Sequence, residues 1–283
     1  MCGGLLPGTY TGCVKNNQTL QNCQSVTLVD GSNIVNFGTL REGDANNDNC
    51  VLLVDFSILG STFGKCTGNA GFDGRADFDG SGCVVLLDFS LLTTNFSQCG
   101  VTTPAALVTA RRAGRALTGA ATSGGRAALA VVAPPTVKVG QRFTVALQVE
   151  AGQQPVDGAA AYVNFDPSVL QVEEVTAGGQ FGLELQRQVD NAAGTVNYAA
   201  ATFEDFPAGT FGLATLHVRA LRTGTTTLVL NRTAPRQSDV TFGGASVFAP
   251  AQIATVTIAN RSLPHGAGHR RPAGNRSTTR PTR

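Results

Sequence analysis

Asp44-Ala45-Asn46-Asn47-Asp48-Asn49-Cys50-Val51-Leu52-Leu53-Val54-Asp55 returns 33 residues later as Asp77-Phe78-Asp79-Gly80-Ser81-Gly82-Cys83-Val84-Val85-Leu86-Leu87-Asp88. Each copy runs on into a short apolar stretch, Phe56, Leu59 and Phe63 in the first and Phe89, Leu92 and Phe96 in the second. The spacing i, i+3, i+7 places these residues on one face of a helix. Each stretch ends in a cysteine, Cys66 or Cys99, sixteen residues after the loop cysteine Cys50 or Cys83.

The loop chemistry fits a hard divalent cation. Calcium takes six to eight oxygens, and a 12-residue loop offers them from positions 1, 3, 5, 7 (a backbone carbonyl), 9 (often through water) and 12. In the first copy these are Asp44, Asn46, Asp48, the carbonyl of Cys50 and Asp55; in the second, Asp77, Asp79, Ser81, the carbonyl of Cys83 and Asp88. Two calcium ions are therefore expected. Position 6 needs a positive φ, which Gly82 supplies freely and Asn49 tolerates. Two unrelated Asp/Asn-rich surface turns would also cluster carboxylates, but not in register twice. Ser81 at position 5 predicts weaker binding in the second loop, and Val51 and Val84 at position 8 are expected to pair the loops through a short β-bridge.

A duplicated loop with Asp at position 12, followed directly by a short helix, resembles the type I dockerin repeat over about residues 43–99. Positions 10 and 11, often small hydroxyl residues in dockerins, are here Leu53-Val54 and Leu86-Leu87, so the resemblance implies an apolar docking surface with near two-fold symmetry, able to bind in either orientation. If the post-loop helices run antiparallel, each ends beside the other's loop, favouring Cys50–Cys99 and Cys66–Cys83. The alternative, Cys50–Cys66 and Cys83–Cys99, spans a helix of roughly 15 Å, too far for a disulfide.

Composition sets the surroundings. Residues 42–99 carry eight carboxylates against two basic side chains, whereas 260–283 carry six Arg and no acid, which reads as a cation-binding region and a solvated tail. All seven cysteines lie in the first hundred residues and none forms C-x-x-C, so disulfides in an exported protein explain them better than zinc. Cys13 and Cys23 are placed to pair, leaving Cys2 over. Met1 leads into Cys2-Gly3-Gly4 without a basic or apolar leader, which reads as a fragment of a longer exported chain. Segments 9–11 and 13–15 read as strands, and 26–29 and 34–37 as a hairpin about Asp30-Gly31-Ser32-Asn33. So few strands bury no core alone, so residues 1–40 read as the last strands of a truncated sandwich.

Residues 128–259 alternate apolar and polar in short segments broken by turns, the pattern of a β-sandwich. Phe143, Val145, Leu147 and Val149 share one face; 183–189 and 195–201 flank one turn, and 213–221 and 225–230 another. The stretch resembles a cohesin in three passages: Val137-Lys138-Val139-Gly140-Gln141-Arg142-Phe143-Thr144-Val145, Ala161-Tyr162-Val163-Asn164-Phe165-Asp166-Pro167-Ser168-Val169-Leu170, and Ala208-Gly209-Thr210-Phe211-Gly212-Leu213-Ala214-Thr215-Leu216-His217-Val218. In the second, Asp-Pro ends the strand and Leu170 returns to the core. Cohesins bind dockerins through a flat sheet face with polar side chains; Ala159, Ala160 and Ala161 stand there instead, a small apolar face suited to apolar helices.

The fold class is thus mainly β with a small α segment: a cohesin-like β-sandwich of jelly-roll type and a dockerin-like two-helix calcium module, preceded by strands of another sandwich. The divisions fall at 1–40, 41–100, a linker over 101–127 with transient helix near 105–117, the sandwich over 128–259, and a disordered basic tail over 260–283. No catalytic or cofactor-binding residues are expected. Glu173-Glu174 and Glu204-Asp205 are neighbours that a strand points to opposite faces, His217 reads as structural, and His265 and His269 as solvated. The tail arginines and Arg111-Arg112 lack the aromatics of a single-strand binder.

The implied function is a non-catalytic extracellular scaffold or adaptor, in a polysaccharide-degrading assembly, with cohesin- or dockerin-bearing partners. Both modules in one chain also permit self-association, as head-to-tail chains or self-masking. The competing class is a carbohydrate-binding or adhesive surface protein whose calcium loops are staples; the lack of Trp and the three Tyr count against it. An enzyme whose catalytic domain lay upstream is the third.

Overall fold

The computed structural model describes residues 5–102, 127–249 and 251–260. The expectations for Cys2, the 105–117 helix, Arg111-Arg112 and the histidines of the basic tail lie outside these residues.

Strands β1 (Gly8–Val14) and β2 (Asn22–Leu28) form an antiparallel ribbon closed by a Cys13–Cys23 disulfide. The hairpin expected between 26–29 and 34–37 does not form. The Asn33 side chain bonds both the N–H and the carbonyl of Val29, giving the backbone a local alternative to a ladder. Residues 34–37 instead follow β2 through side chains, with Asn22 Nδ2 donating to the Phe37 carbonyl and Gln24 Nε2 to that of Asn36.

The repeat builds β3 (Cys50–Val51), α1 (Leu53–Thr62), α2 (Leu86–Asn95) and β4 (Gln98–Cys99). Each helix starts where the position-12 aspartate accepts the N–H of the residue before the helix: Leu52 N–H to Asp55 Oδ2 and Val85 N–H to Asp88 Oδ2, both 2.8 Å. Asn49 (φ 73°) and Gly82 (φ 88°) take the left-handed conformation expected at position 6.

The bridge between Val51 and Val84 is absent; each loop pairs with the chain leaving the other helix. Cys50 faces Cys99 and Cys66 faces Cys83, each pair joined by a disulfide with Cα atoms 4.0 and 3.9 Å apart. The extended residues Phe63 and Phe96 that end the helices bring these partners in. The favoured pairing holds. Closing the 49-residue loop of Cys50–Cys99 removes chain entropy worth about 4 kcal/mol from the unfolded state. Reduction is expected to lower the melting temperature of this module steeply and to leave the cysteine-free sandwich in place, read by circular dichroism with and without reductant.

The sandwich contains β5 (Ala128–Val132), β6 (Thr136–Lys138), β7 (Arg142–Gly152), β8 (Gly158–Asn164), β9 (Leu170–Ala177), β10 (Leu183–Asp190), β11 (Thr195–Ala201), β12 (Gly209–Ala220), β13 (Gly224–Leu230), β14 (Arg232–Thr233), β15 (Arg236–Gln237), β16 (Asp239–Phe242), β17 (Ala245–Ser246) and β18 (Ala254–Ala259). One sheet runs β5-β7-β12-β9; the other runs β10-β11-β8-β13-β18-β6, with β16 on β8 and β17 on β16. The segments 213–221 and 225–230 that flank a turn are strands but do not pair: β12 lies between β7 and β9 while β13 joins β18 and β8, so this turn crosses between sheets. Phe143, Val145, Leu147 and Val149 face the core, and Phe165 and Leu170 close it around Asp166-Pro167.

β8 and β11 are buried on both faces. Ala159, Ala161, Val163, Val196, Tyr198 and Ala200 enter the sandwich core; Ala160, Tyr162, Ala199 and Ala201 join a second core with Phe56, Ile58 and Leu59 of α1. Near-continuous apolar strands of this kind mean cover on both sides, and here α1 supplies the outer cover.

Candidate metal centres and docking face

The second loop gathers Asp77, Asp79 and Asp88, whose carboxylate oxygens lie within 4.8 Å of one another. Asp77 Oδ2 accepts the Gly82 N–H at 2.9 Å, while Asp77 Oδ1 is buried with no hydrogen-bond partner. A buried, unpartnered carboxylate oxygen is costly, and a cation would satisfy it. Ser81 Oγ lies 3.2 Å from the Cys83 carbonyl, so the two other expected donors stand together. The donor set, all hard oxygen, fits calcium.

The first loop is closed by its own hydrogen bonds. Asp44 Oδ1 accepts the Asp48 N–H, Asp48 Oδ1 the Cys50 N–H, and Asn46 Nδ2 donates to Asp48 Oδ2. Asp55 Oδ1 accepts the Asn46 N–H. A residue outside the repeat adds a charge: Lys15 Nζ sits 2.6 Å from the buried Asp44 Oδ2 and 2.6 Å from the Thr19 carbonyl. Among the described residues no ion pair reaches Asp77, Asp79 or Asp88.

Burial, reinforced by Asp48 and Asp44, pushes the Asp55 carboxyl up to about 8, against the bonds from Leu52 and Asn46 that lower it. The calcium-free folded state then holds a proton that the unfolded chain releases near pH 4. Stability of the chelated protein therefore falls as pH rises from about 4 to 8. Chelated protein is expected to melt lower at pH 8 than at pH 5, with calcium reversing the order; thermal melts at both pH values check it.

Segment 15–21 straps both loops. Besides the Lys15 contact, Gln18 Nε2 donates to the carbonyls of Gly74, Arg75 and Asp77, and the Gln18 carbonyl accepts the Gly43 and Asp44 N–H groups. The Gln21 N–H bonds Asn49 Oδ1 at 2.7 Å, and Leu20 is buried in the module core. Nothing in the loop motif signals this strap.

The outward face of β8 and β11 receives α1. Phe56 and Phe63 stack on Phe203 with ring centroids 5.3 and 4.5 Å away. Gly158 leaves room for Leu53, since an added Cβ would meet Leu53 Cδ1 at 2.9 Å; Gly244 similarly faces Ile58. One buried polar cluster sits in this apolar contact. Ser57 Oγ donates to Asp157 Oδ2 and accepts the Gly244 N–H, both at 2.7 Å, while Asp157 also accepts from Thr241 Oγ1 and Gly243 N–H. Burial raises the Asp157 carboxyl and these donors lower it. The helices are used unequally: Leu53 is 2% exposed, but its counterpart Leu86 is 71% and Leu87 54% exposed.

Among the described residues, two neighbouring carboxylates on β9 sit differently from expectation. Glu173 and Glu174 do share a face, contrary to the alternation expected, because a bulge opposite His217/Val218 inserts one residue in β9. With Arg142 and His217 they line an open depression of about 410 Å³, where Arg142 Nε bonds Glu173 Oε2 at 2.7 Å. His217 Nε2 lies 3.4 Å from Thr176 Oγ1.

Two packed sheets make up a β-sandwich of cohesin-like fold. Residues 129–246 match the family model of the cohesin domain. Solved structures of similar form include a non-cellulosomal cohesin from Archaeoglobus fulgidus (18% identity, TM-score 0.40, 47% of this chain and 91% of that one). A cohesin module of a family 33 glycoside hydrolase from Clostridium perfringens is 16% identical (TM-score 0.40, 48% and 99%). A type I cohesin–dockerin complex from Clostridium thermocellum is 9% identical (TM-score 0.41, 47% and 99%). No curated protein matches the chain.

Proposed function

We propose that the chain is a non-catalytic, calcium-dependent assembly protein that works outside the cell, with a dockerin-like module over the repeat and a cohesin-like sandwich behind it. The observation that carries this is the second loop: three converging carboxylates, one with a buried oxygen that no protein group satisfies. Calcium there would hold Asp77, Asp79 and Asp88 together and so fix the start of α2, whose first turn Asp88 already braces. Asp44, Asn46, Asp48, the Cys50 carbonyl and Asp55 would do the same for α1. Disulfides between Cys50 and Cys99 and between Cys66 and Cys83 fit an oxidising compartment. Among the described residues no helix is long and apolar enough to cross a membrane.

Each loop brings three carboxylates, so the ranking turns on what surrounds them. The Lys15 ammonium opposes a divalent ion in the first loop only. The second loop is therefore the tighter site, the reverse of the order that Ser81 alone suggests. Calorimetry is expected to show two unequal sites, with Lys15→Met strengthening the weaker one by roughly tenfold, about the effect of removing one adjacent charge even under strong screening. A protein that takes up no calcium sinks the assignment.

A further inference from the structure

We propose that the sandwich is capped by its own calcium module: the outer face of β8, β11 and β16 and helix α1 are partners within one chain, and the closed state withholds both from other molecules. The proposal rests on the assembly reading above but on a different observation, the seating of α1.

The contact has the makeup of a specific interface. Its centre is aromatic, with Phe56, Phe63 and Phe203 in stacked contact and Phe89 meeting Phe203 edge-on at 5.7 Å. Its polar atoms are matched across the boundary: Ser57 is both donor to Asp157 and acceptor from Gly244, and Ser97 Oγ donates to the Pro235 carbonyl at 3.2 Å. An apolar contact with one satisfied hydroxyl–carboxylate pair discriminates against helices that lack the hydroxyl, because Asp157 would lose a donor in a dry site. The sheet is shaped for this helix: Gly158 and Gly244 leave space for Leu53 and Ile58, and Ala160, Ala199 and Ala201 keep the strands low beneath it.

Linkage in one chain decides the competition. Covalent tethering sets an effective concentration on the order of a millimolar. A face that would hold a free module with Kd near a micromolar is then closed about a thousand to one. An outside helix must exceed that ratio to enter. Val85, Leu86 and Leu87, the counterparts of the docked residues, remain exposed in the closed state.

The test uses the full chain with a protease site inserted between residues 102 and 127, cut after folding in calcium and run on size exclusion. The two halves are expected to co-elute at the mass of the uncut chain. Phe203→Ala and Ser57→Asp, the latter setting a carboxylate against Asp157, are expected to weaken their association at least a hundredfold and separate them. Leu86→Ala with Leu87→Ala is expected to leave them together. Circular dichroism confirms that each variant is folded. Halves that separate in the unaltered protein, while calorimetry shows filled loops, overturn self-capping and leave the calcium reading standing. Association lost through Leu86 and Leu87 but indifferent to Ser57 and Phe203 also overturns it, since α2 would then be the docked helix. Halves that stay together in a protein that binds no calcium support self-capping and remove the calcium reading alone.

Discussion

Asp77→Asn is expected to abolish calcium uptake at the second loop while making the calcium-free protein more stable. The two effects share one cause. Asp77 Oδ1 is buried without a partner, so in the absence of the ion its charge is a burden. Asparagine removes that charge and keeps an oxygen for the Gly82 N–H. With calcium the balance inverts: loss of a charged ligand exceeds the roughly 10- to 100-fold cost of disturbing a ligand's supporting bond, so more than about 100-fold in affinity should go. Saturation at about 100 times Kd stabilises a site by about 2.7 kcal/mol, and this increment should vanish from the variant's melting curve. Calorimetry showing two sites of unaltered strength would mean that the loop does not use this carboxylate.

Phe56→Ala carries the second large effect. Phe56 is fully buried, stacks on Phe203 and meets the edge of Phe89. Truncating a buried phenylalanine costs about 3–5 kcal/mol, a loss a small module held by few buried residues cannot absorb. Denaturant titration is expected to show the module unfolding ahead of the sandwich. Phe89→Ala, the same change in the second repeat, should cost clearly less because Phe89 is only partly buried. Equal costs would contradict the unequal use of the helices.

What the sequence disclosed follows a physical line. The helices that follow the two loops were legible because the repeat sets apolar residues at helical spacing, and the disulfide pairing because a two-fold repeat has few ways to close. The sandwich strands were legible from alternation, and the adjacent alanines pointed to a face that would suit an apolar helix. Sheet membership was not legible, since a turn between two strands reads alike whether they pair or, like β12 and β13, part into opposite sheets. The Glu173–Glu174 arrangement was misjudged because a bulge in β9 breaks the period of two. Lys15 and Gln18 could not be found at all: their importance comes from contacts with residues 29 and 56 or more positions away, which no local pattern encodes.

Excision at residue 41, where the duplicated motif begins, would strip away the segment that anchors both loops from behind. The working unit begins upstream, near Cys13, where the first ribbon is pinned. A fragment trimmed to the motif alone would shed both this frame and the Lys15 ammonium beside Asp44, so its ion uptake would not represent that of the whole protein.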